Sequence, residues 1–198
     1  TSSFAKISSG MRINSASDDG AGLAVAENLD AESRSLSQAQ RNTHDGISVI
    51  QTAEGATNEV GDILKRMREL AVQSSSETLH NNERAYIQDE FSELTKEVDR
   101  IASVTEFNGI ALGNAQNDGL NVQVGIHDTV DDRIKVNLGD LRATTLGVDN
   151  SGGGVQLDTV TSARTALTKI DSALDTINSY RSDYGAVQNR LESALNNL

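Results

Sequence analysis

The sequence predicts a mainly α fold: an elongated, rod-like bundle of about three long antiparallel helices with a small β-hairpin region at one end. Three observations carry this reading. The chain has 198 residues and no proline, so the strongest helix breaker is missing. Aromatics make up 3% of the residues, so the interior must be aliphatic and alanine-rich, which suits thin seams between helices. Apolar residues recur at spacings of three and four over long stretches, and at alternate positions only around residues 120–138.

Residues 1–19 are rich in Ser, with scattered Phe4, Ile7, Met11 and Ile13. They read as a frayed helix end and a loop at INSASDDG, a remnant of a terminal segment and its connection. Residues 20–198 read as a single helical rod domain, with 110–157 as its β-hairpin and variable loop part. Asp18 and Asp19 precede GAGLAVAENL, where a carboxylate accepts from the free N–H groups of a starting helix. The first helix runs from about Gly20 to about Ser75. Ile50, Ala53, Thr57, Val60, Leu64, Met67 and Ala71 form its seam, Thr57 being the one polar member. SSSETLHNNE interrupts the pattern. A second helix spans about His80 to Thr105, with Ile87, Phe91, Leu94, Val98 and Ile101 on one stripe, and the Asn108-Gly109 turn pair ends it.

The period then changes to two. LNVQVGI and RIKVNL flank the polar HDTVDD, a β-hairpin signal. LGVDNSGGGVQLD reads as a flexible loop with its tip at Gly152–Gly154. The last helix runs from about Asp158 to Leu198. Ala163, Leu167, Ile170, Leu174, Ile177, Tyr184, Leu191, Leu195 and Leu198 are on its seam, and Arg181 and Gln188 interrupt it. Such a helix is about 60 Å long. Propensity alone does not sustain that length, so it needs partner helices.

Composition and motifs exclude most chemistry. There is no Cys, hence no disulfide, thiol nucleophile or cysteine metal site. The net charge of −12 disfavours nucleic acid and anionic membrane surfaces as partners. No apolar run is long enough to span a bilayer. GAG lacks the preceding strand and following Lys of a phosphate loop, and two carboxylates crowd the place. His44, His80 and His127 are scattered; HNNER lacks the second His of a zinc motif. DTVDD lacks the remaining ligands of a calcium loop. No nucleophile stands with a base. The chain is therefore read as a non-enzyme with no catalytic, cofactor-binding or metal residues.

One feature runs against the acidic balance. ILKRMRELAVQ, residues 63–73, carries Lys65, Arg66 and Arg68. Arg66, Glu69, Leu70 and Gln73 are three or four apart and share a flank beside the seam. Two readings stay open. The patch is a solvated face with Glu69 paired to a neighbouring cation, or a partner-binding surface whose apolar centre is Leu70 and whose rim is polar.

KISSGMRINSASDDGAGLAVAENL, QRNTHDGISVIQTAEGATNEVGDILKRMRELAVQ, IQDEFSELTKEVDRIASVTEFNG and YGAVQNRLESALNNL together resemble the bacterial flagellins, in that family's order. The resemblance covers most of both helical portions; the hairpin and glycine loop match only in kind. It implies a structural protein: a subunit exported unfolded through the flagellar secretion channel, with an export chaperone, that self-assembles into the extracellular filament used for motility. It also implies terminal segments that order on assembly, so the chain reads as a minimal or truncated helical core. The alternatives are a hook-filament junction protein, which resembles flagellin at its ends, and a secreted helical effector. LKRMRELAVQ and GAVQNRLESALNNL favour flagellin proper.

The resemblance further implies partners for the patch: neighbouring subunits, and the flagellin-sensing Toll-like receptor of animal hosts. On that basis Lys65, Arg66, Glu69, Leu70, Gln73 and, on the adjacent helix, Glu90 are the expected contacts. Four residues after that acid, receptor-activating members carry a basic residue; this chain has Leu94, which predicts weaker affinity.

Overall fold

The computed structural model describes residues 7, 8, 10, 12–114, 116, 119–150 and 154–198. The expected frayed helix end around Phe4 and Met11, and positions 152 and 153 of the expected loop tip, lie outside the described residues.

Helix α1 is Gly20–Ser74, 55 residues. Asp19 caps it, its carboxylate accepting from the Gly22 N–H at 2.9 Å. Helix α2 is Asn81–Val104; Glu83 reaches back to accept from the His80 N–H at 2.9 Å, closing its first turn. The turn between them is built on Arg84, which is buried. Its guanidinium donates to the carbonyls of Ser74, Ser76 and Leu79 at 3.0, 2.6 and 2.8 Å. These are carbonyls at or just beyond the C-terminal end of α1, which its helix leaves without a donor and where a cation is favoured.

Strands β1 (Glu106–Phe107) and β2 (Ile110–Ala111) form a minimal antiparallel hairpin, Phe107 opposite Ile110. The sequence pattern there predicts only a helix-ending turn. Asn108 and Gly109 have φ of 49° and 76°, which is what a two-residue type I′ connection requires. Strands β3 (Leu120–Gln123) and β4 (Arg133–Val136) form the expected hairpin, Val122 opposite Ile134. It is shorter than the alternating pattern because Val124 and Gly125 both donate to the Asp132 carbonyl, ending the regular ladder. A single turn, α3 (Ala143–Leu146), follows; the sequence reading missed it. Its first amide donates to Asp99 of α2 at 2.8 Å. Helix α4 is Val160–Asn197, started by Thr159, whose hydroxyl accepts from Ser162 N–H at 3.1 Å.

The helices are antiparallel. Along α1 and α4, Gly46 lies by Leu191, Gly61 by Ile177, and Arg68 pairs with Asp171. Along α1 and α2, Arg66 pairs with Glu90 and Ser74 bonds to Arg84. The predicted α1 seam is buried throughout, Ile50 to Ala71. Thr57 fits because its hydroxyl donates to the Ala53 carbonyl at 2.7 Å.

On the other two helices the buried line is displaced by one residue in places. Ala166 and Ala173 are buried where Leu167 and Leu174 were expected, and the leucines are half-buried. Leu195 and Leu198 are likewise half-buried. On α2, Thr95 and Ala102 are buried and Leu94 and Ile101 half-buried. Closely approaching helices admit alanine on the contact line and push larger side chains to its flanks.

The three-helix part encloses one core, with Leu70, Phe91, Val98, Ile170 and Ile177 among its members. Where α2 stops, the β3–β4 hairpin takes its place against α1 and α4, around Ile50, Val136, Tyr184 and Leu191. Gly46 makes room for Val122, whose Cγ2 lies 2.9 Å from where a Cβ would be. The Tyr184 hydroxyl accepts from the Gly139 N–H at 3.0 Å, tying α4 to the segment after β4.

The described parts of the expected flexible loop, on either side of residues 151–153, are strapped down instead. Val148, Val155 and Leu157 are buried. Gln88 and Ser92, one turn apart on α2, hold it: Leu157 N–H donates to Gln88 Oε1 at 2.5 Å, and Asn150 Nδ2 to Ser92 Oγ at 2.6 Å. From Gly20 to Gln38, by contrast, no α1 residue is buried. Val25 and Leu29 are 58% and 59% exposed.

Candidate recognition surface

The basic patch lies where all three helices are present. α1 presents Lys65, Arg66, Arg68 and Glu69 outward because each is off its buried line of Leu64, Met67, Leu70 and Ala71. Arg66 links two helices. Its Nε and Nη2 donate to Glu90 Oε1 on α2 at 2.9 and 2.7 Å, and its Nη1 to Glu69 Oε2 at 2.9 Å. The pair is half-exposed, 50% and 46% for the two side chains. The hydrogen bond to Glu90, then that to Glu69, raises the Arg66 pKa further, so the charge is permanent. On the other side of α1, Arg68 donates to Asp171 of α4 at 2.6 Å. Lys65 pairs with Asp62 at 2.7 Å. Two of the three cations thus reach across to neighbouring helices.

Leu70 corrects the sequence reading. It is 1% exposed and belongs to the three-helix core, not to the centre of a surface patch. The reading assumed one seam along α1. The helix is flanked by α2 and α4 together, so its apolar arc is wider than a two-helix seam and takes in Leu70. The exposed apolar residue is Val72, 49% exposed, which the sequence reading passed over. It lines a shallow groove with Lys65, Arg68, Glu69 and Gln73. Its spacing of four from Arg68 and three from Glu69 was the available signal. Gln73 and Glu90 are exposed, and Leu94, where the resemblance implied a basic residue, is half-buried against the core.

Among the described residues no group of three or more His, Asp or Glu side chains is placed to hold a metal ion. No described helix is long and apolar enough to cross a membrane.

The bacterial flagellin N-terminal helical region matches residues 1–118, and the bacterial flagellin C-terminal helical region matches residues 167–198. The chain belongs to the bacterial flagellins. A flagellin of Halalkalibacterium halodurans is 44% identical over 196 residues, covering 98% of this chain and 70% of the relative. The flagellar filament 30.7 kDa core protein of Treponema maltophilum is 41% identical, covering 96% of this chain and 70% of that one. The crystal structure of Bacillus cereus flagellin superposes with a TM-score of 0.69 at 31% identity, covering 80% of this chain and 89% of that one. Flagellin is a structural protein, the subunit of the flagellar filament outside the cell, and the long antiparallel helices and side hairpin of this chain are its fold.

Proposed function

We propose that the outer face of α1 and α2, with Lys65, Arg66, Glu69, Gln73 and Glu90 on it and Leu70 beneath it, is a protein-recognition surface of this flagellin. Its partners are neighbouring subunits in the filament and the flagellin-sensing Toll-like receptor of animal hosts. The subunit reaches the filament through the flagellar export machinery, with a chaperone, before it folds. One observation carries the surface: Arg66 is held by carboxylates from two helices. A guanidinium already fixed in place loses little side-chain freedom when a partner docks on it. It also keeps N–H groups in a planar fork that suits acidic or carbonyl acceptors. The buried Leu70 acts from below, by holding α1 against α2 so that Arg66 and Glu90 stay in reach.

Binding of receptor ectodomain to the parent chain and to Arg66→Ala and Glu90→Ala, by surface plasmon resonance, tests this. Each variant is expected to weaken binding by about tenfold, the effect of losing a central contact, with an unchanged helical circular dichroism spectrum. Parent-like binding by both, or no binding by the parent, makes the patch a solvated face.

A further inference from the structure

Asn108-Gly109 is the only Asn-Gly pair in the sequence. It forms the whole connection of the β1–β2 hairpin, and both residues are exposed. Nothing lies within 4 Å of where a Cβ of Gly109 would be, so that flank of the turn is open. From this placement we propose that Asn108 is a site of spontaneous covalent modification, deamidation through a cyclic imide.

The Gly109 amide nitrogen, losing its proton to solvent, attacks the Asn108 side-chain carbonyl carbon. The new C–N bond closes a five-membered succinimide, and the side-chain nitrogen leaves as ammonia. Water then opens the ring at one of its two carbonyls. Opening at one yields aspartate. Opening at the other yields isoaspartate, in which the main chain runs through the former side chain. The sum is amide plus water giving carboxylate plus ammonium, with no redox partner.

Two features of the structure favour this position. A glycine follows, so no side chain shields the attacking nitrogen. The flanking strands are two residues each and the connection is exposed, so the turn can leave its left-handed conformation for the geometry of attack without the buried Leu112 moving. The contrast is Asn178, which also precedes a small residue but lies inside α4, where the next amide is held in the helix ladder.

The two products differ in consequence. Aspartate keeps the backbone and adds a charge at an exposed tip. Isoaspartate lengthens the turn by one backbone atom, which the two-residue connection cannot absorb with Phe107 still opposite Ile110. Both of these side chains pack on the core beneath the hairpins, so the lower core feels the change.

The folded chain, held at mildly alkaline pH and sampled over time, is digested and mapped by mass spectrometry with electron-transfer fragmentation. The peptide containing Asn108 is expected to gain the one mass unit that separates acid from amide, and to show isoaspartate fragments. It should do so sooner than the peptides containing Asn14, Asn150 or Asn178. An Asn108→Gln variant should lose that early signal and keep the rest. If position 108 stays unmodified, or changes no faster than those three, the proposal is wrong.

Discussion

Arg66 and Leu70 stand one helical turn apart and face different worlds, the first half in solvent and the second 1% exposed. Leu70→Ala is expected to lower stability by about 2–5 kcal/mol, the range for a buried leucine truncated in a core. Arg66→Ala should barely move it, since solvent screens pairs this exposed. Urea unfolding followed by circular dichroism compares them; a Leu70→Ala loss below about 1 kcal/mol would remove that residue from the core. Arg84 is a third kind of residue. It is a buried cation whose acceptors include three carbonyls. Arg84→Met keeps much of the length and removes the donors. It should cost about 1–3 kcal/mol for each carbonyl left without a partner. Equal midpoints for parent and variant would show that water takes over the role.

Among the elements, the join of α4 to the hairpin region rests on Tyr184 and the Gly139 amide. Tyr184→Phe removes the acceptor of the Gly139 N–H and leaves that amide buried. A loss of about 1–3 kcal/mol is expected in the same unfolding assay, and no loss would mean the amide finds another acceptor. The element boundaries of α1, α2 and α4 were legible because a long, strongly periodic stripe ended by turn residues has few alternative readings. The inward line of α4 was less so. Leu167 and Leu174 looked like core by hydrophobicity, yet the close approach of α1 selects Ala166 and Ala173, and distance between helices is not written in either one. The β1–β2 hairpin escaped notice because two-residue strands carry no period. The strap over α2 escaped because Gln88, Ser92 and Asp99 read as ordinary polar helix residues until their acceptors and donors are known. At the recognition surface, the cations were legible as charge; the resemblance implied Arg66 and Glu90 as contacts but not their pairing, and the burial of Leu70 depends on a third helix.

At the scale of the whole molecule, acid should loosen the chain where carboxylates do structural work. Burial pushes the Asp140 carboxyl up, but hydrogen bonds from Arg142 and Thr145 outweigh it and hold the pKa below the ordinary value. A group depressed in the folded state contributes stability above its unfolded pKa, about 4. That contribution fades as pH falls through the folded value. Asp140→Asn should therefore be less stable than the parent at neutral pH and converge with it in strong acid. A constant gap across that range would sink the linkage. The exposed run of α1 has a consequence of its own. Helix α1 is one unbroken hydrogen-bonded rod, but from Ala39 onward it is clamped by a core, while no residue of Gly20–Gln38 is buried and its own ladder does most of the holding. Amide deuteration should therefore divide a single helix into two kinetic populations. The first nineteen positions exchange through local fraying, at rates nearly independent of overall stability, and those around Val60 and Leu64 exchange only when the whole bundle opens.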